Sequence, residues 1–388
     1  MNILIMDWGA FGKESAIKAF EELGHKVFRF FHKDYLERRS DDFMNAFKSF
    51  ITDNNIDFCF SFNFYPILAE SCKENNLKYI SFVYDSPHVN IFSYTVTYPT
   101  NYVFLFDSDL CTTFNNGGIK NIYYSPLAAD IFTPQKLDPD SVWTKRLYAK
   151  VSFVGALYNE DHNFFERLKG ISDYTKGYLD GIMKAQLKIY GYNFIEELLT
   201  KPIIDDLQKA CPYTPSFDGA QTLEYVFANY FIDRKLTELE RKDLLSAVAA
   251  KFPLNIYTLD IDATIPNAVN LGAVDYYKEM PYVFYNSKIN LNISLRSITA
   301  GIPLRAMDIM AAGGFLLTNY QPDLLRHFVP GEDFVYFESK KDLLEKIDYY
   351  LKHEDERKAI ARHGQETIAA HHTYKHRLKE ILDFVFEN

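Results

Sequence analysis

With 388 residues the chain is too long for one ordinary core and suits two domains. Hydrophobic residues at 47% and charged residues at 24% describe a soluble globular chain, and the many Phe (33) and Tyr (28) read as composition bias, not as a stacking surface. A net charge of −10 argues against nucleic acid or an anionic membrane surface as the main partner, while leaving room for a small anion in a local pocket.

Strands and helices alternate from the start. "NILIMD" (2–7) reads as a buried strand, followed by the loop "WGAFG" and a helix ending near Gly24. Then come "KVFRF", a helix over 35–53, "DFCFSF" (57–62), a helix over 66–76, "YISFVY" (79–84), "YVFLFD" and "NIYYS". Short apolar strands separated by amphipathic helices predict a parallel sheet covered on both faces. After "PLAADIFTPQKLDPDS" (126–141) the pattern restarts with "KVSFVGA" (150–156), a strand running into Gly155. "PLNIYTL", "KINLNIS", "GFLLTN" and "DFVYFES" complete a second sheet, and the chain from Lys340 onward reads as helical.

The expected organisation is α/β with two tandem Rossmann-like domains facing a central cleft. The domains span 1–126 and 150–365, with a linker over 127–149 and a last helix over 366–388. Ligands of such sheets bind beyond the carboxyl ends of the strands. Residues 157–251 break the rhythm and read as helices without a strand. They form an expected helical insertion in the second domain, serving as structural padding or a dimer contact ahead of gripping a second substrate.

Cys59, Cys72, Cys111 and Cys211 are far apart and form no CxxC, so buried free thiols in a reducing compartment are expected. The N-terminus has no basic region and reads as a first strand, not as a signal peptide. No apolar run approaches membrane-spanning length, and a cytoplasmic, soluble protein is expected.

"GIPLRAMDIMAAGGFLLTN" (301–319) carries the most chemistry. Arg305 and Asp308 are three apart and share one face of an otherwise apolar helix. Pro303 suits a first turn, whose free N–H groups, next to Gly301, make a seat for a phosphate. Arg296 and Arg305 would add charge-assisted bonds to phosphate oxygens, and Asp308 would accept from ribose hydroxyls. A nucleoside diphosphate meets these demands together.

Four ordered stretches carry a family resemblance over nearly the whole chain. They are "PLAADIFTP", "VDYYKEMPYVFYNSKINLN", "RAMDIMAAGGFLLTN" and "GEDFVYFESKKDLLEKIDYYLKHEDERKAIARHG". The chain resembles GT-B glycosyltransferases, specifically the CgeB-like (spore-maturation-protein type) group. The resemblance implies transfer of a sugar from a nucleotide sugar, UDP-linked by preference, to a glycan, protein or surface-precursor hydroxyl. It implies no cofactor and no metal. It makes Asp308 the ribose-binding acid and puts Gly155, Tyr276 and Met280 on the donor side with Arg296, Gly301 and Arg305. The Glu-x7-Glu pattern of many retaining members is absent, since Gly301 and its neighbours before Asp308 carry no acid; the expectation therefore leans to inversion.

An inverting displacement needs a base on the acceptor hydroxyl. "YISFVYDSPHV" places Asp85 and His88 just past a strand end, with a turn-capping role for Asp85 as the bland alternative. Asp7 is the rival base, beside Trp8 and Gly9, and Asn63 at the same edge is expected to bond sugar hydroxyls. "DSD" (107–109) and "DID" (260–262) match a metal-binding Asp-x-Asp but sit at strand ends, where chance matches are common. His372 and His376 have helix spacing suited to zinc, with a solvated helix face the expected reading. Two other functions fit the same fold: a nucleotide-sugar epimerase, and a catalytically silent binding or assembly protein.

Overall fold

A computed structural model describes residues 1–138, 140–159 and 164–387; residues 160–163 of the expected insertion lie outside that description. The chain divides into two compact units. Unit 1 comprises Met1–Ala129, Thr214–Thr222 and the C-terminal stretch from His371; unit 2 comprises Asp130–Tyr213 and Leu223–Ala370.

Unit 1 is built on strands β1 (Asn2–Met6), β2 (Lys26–Phe30), β3 (Phe58–Phe62), β4 (Lys78–Val83), β5 (Asn101–Leu105) and β6 (Ile122–Tyr124). All pairings are parallel, in the order β2-β1-β3-β4-β5-β6. β3 is buried along its whole length, the mark of a strand covered by helices on both faces. The order reverses at β1, so the ends of β1, β3 and β4 lie side by side on one edge of the sheet. The helix expected over 35–53 starts only at Asp41, where the Ser40 hydroxyl accepts the N–H of Phe43 and stops the helix from extending upstream.

Unit 2 repeats the plan with β7 (Val151–Val154), β8 (Leu254–Tyr257), β9 (Val269–Asn270), β10 (Ile289–Asn292), β11 (Leu316–Asn319) and β12 (Val335–Phe337). Again all strands are parallel, in the order β12-β11-β10-β7-β8-β9. The winding reverses between β7 and β10, which makes the crevice beyond those two strand ends the natural ligand position. The sequence pattern misses β9, an edge strand of two residues too short to show periodicity.

Residues from Asp130 onward belong to unit 2, and Val142–Arg146 forms a helix where only linker was expected. The last helix is Tyr374–Phe386, not 366–388: the preceding helix Glu354–His371 runs through 366, and the helical run breaks before Thr373 caps the final one. Within 157–251 the described helices include Asp173–Gln186, Lys201–Ala210 and Asp233–Ala249, with irregular stretches such as 187–194 and 211–222 between helices. Residues 214–222 nevertheless belong to unit 1, where Gly219 bridges Ser93 and the Asp218 carboxylate accepts from the Ser93 hydroxyl at 2.5 Å.

No helix among the described residues is long and apolar enough to cross a membrane. All four cysteines are free; Cys59, Cys72 and Cys111 are buried and Cys211 is half-buried.

Candidate functional site

The helix Leu304–Ala311 follows the loop leaving β10. Ala306, Met307, Ile309 and Met310 bury one face of it completely. Its far end is held by the Phe132 N–H at 3.1 Å and the Gln365 side-chain amide at 2.9 Å, both donating to the Ala311 carbonyl. Gly313 then takes a left-handed φ of 71°, a conformation glycine adopts without cost. Gly314 is required for space: a Cβ there would lie 2.7 Å from the Phe284 carbonyl oxygen. The double glycine therefore turns the chain directly from the helix into β11.

Arg305 and Asp308 project from the opposite face and meet at 3.3 Å. The Tyr276 hydroxyl donates to the other Asp308 oxygen at 3.0 Å, and Arg305 also reaches the Met280 sulfur while lying over the Phe284 ring. Four of the residues expected on the donor side thus converge. Asp308 is only 11% exposed, and burial raises its carboxyl to about 6 against the opposing pull of Arg305 and the Tyr276 hydrogen bond; Asp130 pushes the same way as burial. The Tyr276 segment is braced by the unexpected helix, because Trp143 and Arg146 both donate to Glu279, at 3.0 and 2.9 Å.

Gly301 is buried in the loop two residues before the helix N-cap, which is Pro303. The helix begins one residue later than its proline suggested. Gly155 follows β7 with its N–H bonded to the Tyr257 carbonyl; a Cβ would find only ordinary contacts there, but the φ of 155° is one that L side chains rarely adopt.

Arg296 requires a correction. Its guanidinium is buried against Glu240, with Nε and Nη2 donating to the two carboxylate oxygens at 2.7 and 2.6 Å and Nη1 to the Ile189 carbonyl at 2.7 Å. A cation spent this way fixes the loop and does not present itself to a phosphate. Sequence reasoning missed Glu240 and also Arg241. Arg241 donates to the Ile293 carbonyl at 3.1 Å and the Ala156 carbonyl at 2.5 Å, tying together the ends of β10 and β7. Both sit on the helix Asp233–Ala249, where charged residues look like an ordinary solvated face.

In unit 1 the residues expected to act on an acceptor do gather at the C-terminal edge of the sheet, but with different duties. Asn63, 2% exposed, donates to the Asp85 carboxylate at 2.6 Å and accepts the N–H groups of Tyr84 and Asp85 at 3.2 and 3.3 Å. Its amide is consumed in orienting Asp85, so the expected bond to sugar hydroxyls is corrected. Asp85 itself is exposed. His88 turns Nε2 onto the backbone of Phe64, 3.2 Å from its N–H and 3.1 Å from its oxygen, and burial lowers its pKa. Asp7 is paired with Lys13 and lies 3.9 Å from Arg29, so cations stand at both of its oxygens. Trp8 stacks parallel to Tyr84 with centroids 6.3 Å apart and donates to the Phe62 carbonyl, while Gly9 faces open space.

The Asp-x-Asp stretches have local duties: Asp107 caps the helix Ser108–Asn116, and Asp260 accepts from the Asp262 N–H and Asn159. His372 is buried and accepts from Arg377 at 2.9 Å, which corrects the reading of a solvated face.

Two doubly wound parallel sheets of this topology, each closed by helices, form the GT-B fold of glycosyltransferases. Residues 237–383, which hold all the residues expected on the donor side except Gly155, match the family model described as glycosyl transferase-like. Solved structures of the same fold include a glycosyltransferase from Rickettsia africae ESF-5, 12% identical over 100% of this chain and 98% of that one, with a TM-score of 0.54. Sucrose-phosphate synthase from Thermosynechococcus elongatus is 10% identical over 100% and 99% of the two chains, TM-score 0.52. Anabaena HepE in complex with UDP-glucose is 9% identical over the full length of both, TM-score 0.54. No curated protein sequence matches the chain.

Proposed function

We propose that this protein is a glycosyltransferase that takes a sugar from a nucleoside-diphosphate sugar, with UDP as the nucleotide. The observation that carries the reading is the convergence of Asp308, Arg305, Tyr276 and Met280 on the helix after β10, beside the point where the second sheet reverses its winding. A buried carboxylate there is suited to accept both hydroxyls of a ribose, and a guanidinium one turn away is suited to a phosphate oxygen. HepE, which shares the fold, is crystallised with UDP-glucose, in keeping with the choice of UDP.

Arg305 and the N-terminus of its helix meet the diphosphate charge without a divalent ion in this proposal, and the reaction inverts the anomeric centre. Asp85, oriented by Asn63, accepts the proton of the acceptor hydroxyl as the new glycosidic bond forms and the nucleoside diphosphate leaves. The protein acts in the cytoplasm, where nucleotide sugars are available.

A panel of nucleotide sugars in a thermal-shift assay, followed by product analysis, tests the proposal. A UDP-sugar is expected to raise the melting temperature and to yield free UDP in the presence of an acceptor, with activity kept in excess chelator. Release of an epimerised donor with no transfer would identify an epimerase. Failure of every nucleotide sugar to bind would leave an assembly protein on a GT-B scaffold.

A further inference from the structure

Unit 1 carries a second opening that the glycosyl-transfer reading does not use. β6 is the edge strand of its sheet and is only three residues long. The C-terminal helix Tyr374–Phe386 meets it where Phe384 packs on Tyr123. The result is a groove of about 450 Å³ walled by Phe104, Tyr123, Ile381 and Phe384, with Arg377 and Glu380 in the same wall. Tyr123 and Phe384 meet edge to face with centroids 4.6 Å apart, so much of the wall is aromatic.

Arg377 is the unusual member. Its side chain is only 7% exposed, and its Nε is buried without a hydrogen-bond partner. One terminal nitrogen donates to the ring of His372, a neutral acceptor in that arrangement, and the other pairs with Glu380. Glu380 is 60% exposed, one turn further along the same helix. A buried guanidinium therefore rests on one carboxylate that water can draw away. A buried cation is costly unless paired, so an anion delivered through the groove gains what Glu380 supplies only weakly.

We propose that this groove binds an amphiphilic monocarboxylate, a single carboxylate on an apolar body, with the carboxylate replacing Glu380 on Arg377 and the body lying against Tyr123, Ile381 and Phe384. A dianionic phosphate fits less well, because only one cation is offered and Glu380 stands beside it. The groove's volume lies within the range of small-molecule sites. The site belongs to unit 1 alone and does not depend on the donor chemistry of unit 2.

Octanoate is the probe, with octanol and inorganic phosphate as the comparison arms, titrated calorimetrically into the intact protein. Octanoate is expected to saturate one site, octanol to bind roughly tenfold more weakly, and phosphate not to bind, since a charge-assisted bond to Arg377 is what separates them. Glu380→Gln, at an exposed position, is expected to tighten octanoate binding several-fold by removing the competing carboxylate. Arg377→Gln is expected to erase the preference for octanoate over octanol. Should that variant fail to fold, the Glu380→Gln comparison still decides. Equal binding of octanoate and octanol, unchanged affinity in Glu380→Gln, saturable phosphate binding, or no octanoate binding at all would each overturn the proposal.

Discussion

Arg296 and Glu240 form a two-pronged ion pair inside unit 2, with the guanidinium and carboxylate of both residues almost fully buried and the Tyr190 hydroxyl donating to the same carboxylate at 2.6 Å. The pair holds the loop leaving β10 against the helix Asp233–Ala249. Removing one partner strands the other charge away from water. Glu240→Ala is therefore expected to cost about 3–5 kcal/mol, read from denaturant melts. Replacing both residues together by apolar ones of similar size should cost much less. Equal losses from the single and the paired replacements would show that the ion pair is not what the single change disrupts.

Asp308 governs donor binding in the proposed mechanism. Asp308→Ala is expected to weaken UDP-glucose binding by roughly 1.5–3 kcal/mol, the scale of hydrogen bonds to a charged group. Its carboxyl is raised to about 6, so the ionised acceptor is lost as the pH falls through that value. Wild-type affinity for UDP-glucose should accordingly fall between pH 7 and pH 5, while the variant's stays flat. Calorimetry across that range checks both halves, and a flat wild-type profile would remove Asp308 from the ribose.

Asp85→Asn keeps the shape and a carbonyl acceptor for the Asn63 amide but removes the basicity. Turnover is expected to drop by a factor of about 10²–10⁴, with donor affinity and melting temperature nearly unchanged. Asn63→Ala should also lower turnover, and less severely, because it frees the base without deleting it. A much earlier melt in Asp85→Asn would assign that residue to the turn instead. Normal turnover in Asp85→Asn beside a dead Asp7→Asn would move the base to the end of β1.

Asp233 is fully buried, with one oxygen accepting from Asn193 at 2.8 Å and the other without a hydrogen-bond partner. Burial raises its carboxyl from the usual carboxylate range to about 7. A folded-state value above the unfolded one means the native state holds the proton more tightly. The group's contribution to stability is then complete below about pH 4 and is lost as the pH rises through 7. Relative to Asp233→Asn, the wild type should therefore lose stability steadily between pH 4 and pH 7. Parallel stability profiles for the two proteins would show that the carboxyl does not titrate in the native state.

The sequence by itself determined the two sheets. Runs such as "FCFSF" and "LLTN", mostly apolar and buried along their length, are separated by amphipathic helices, and that local pattern leaves little choice but parallel winding. The Arg305–Asp308 pair was equally legible, since helix geometry alone brings residues three apart together. Tyr276 and Met280 were legible as a segment, while their contacts to that pair depend on how two helices pack.

Tertiary structure decided where each charge ends up. Arg296 looks like a phosphate ligand in the sequence because its loop leaves a strand end, yet Glu240, 56 residues earlier, claims it. Asn63 looks free to meet a sugar until the end of β4 brings Asp85 and two backbone N–H groups onto its amide. The physical reason is the same in both cases. Secondary structure follows from short-range periodicity, but the partner of a polar group is fixed by burial, which forces each donor and acceptor to pair with whatever the fold brings within reach.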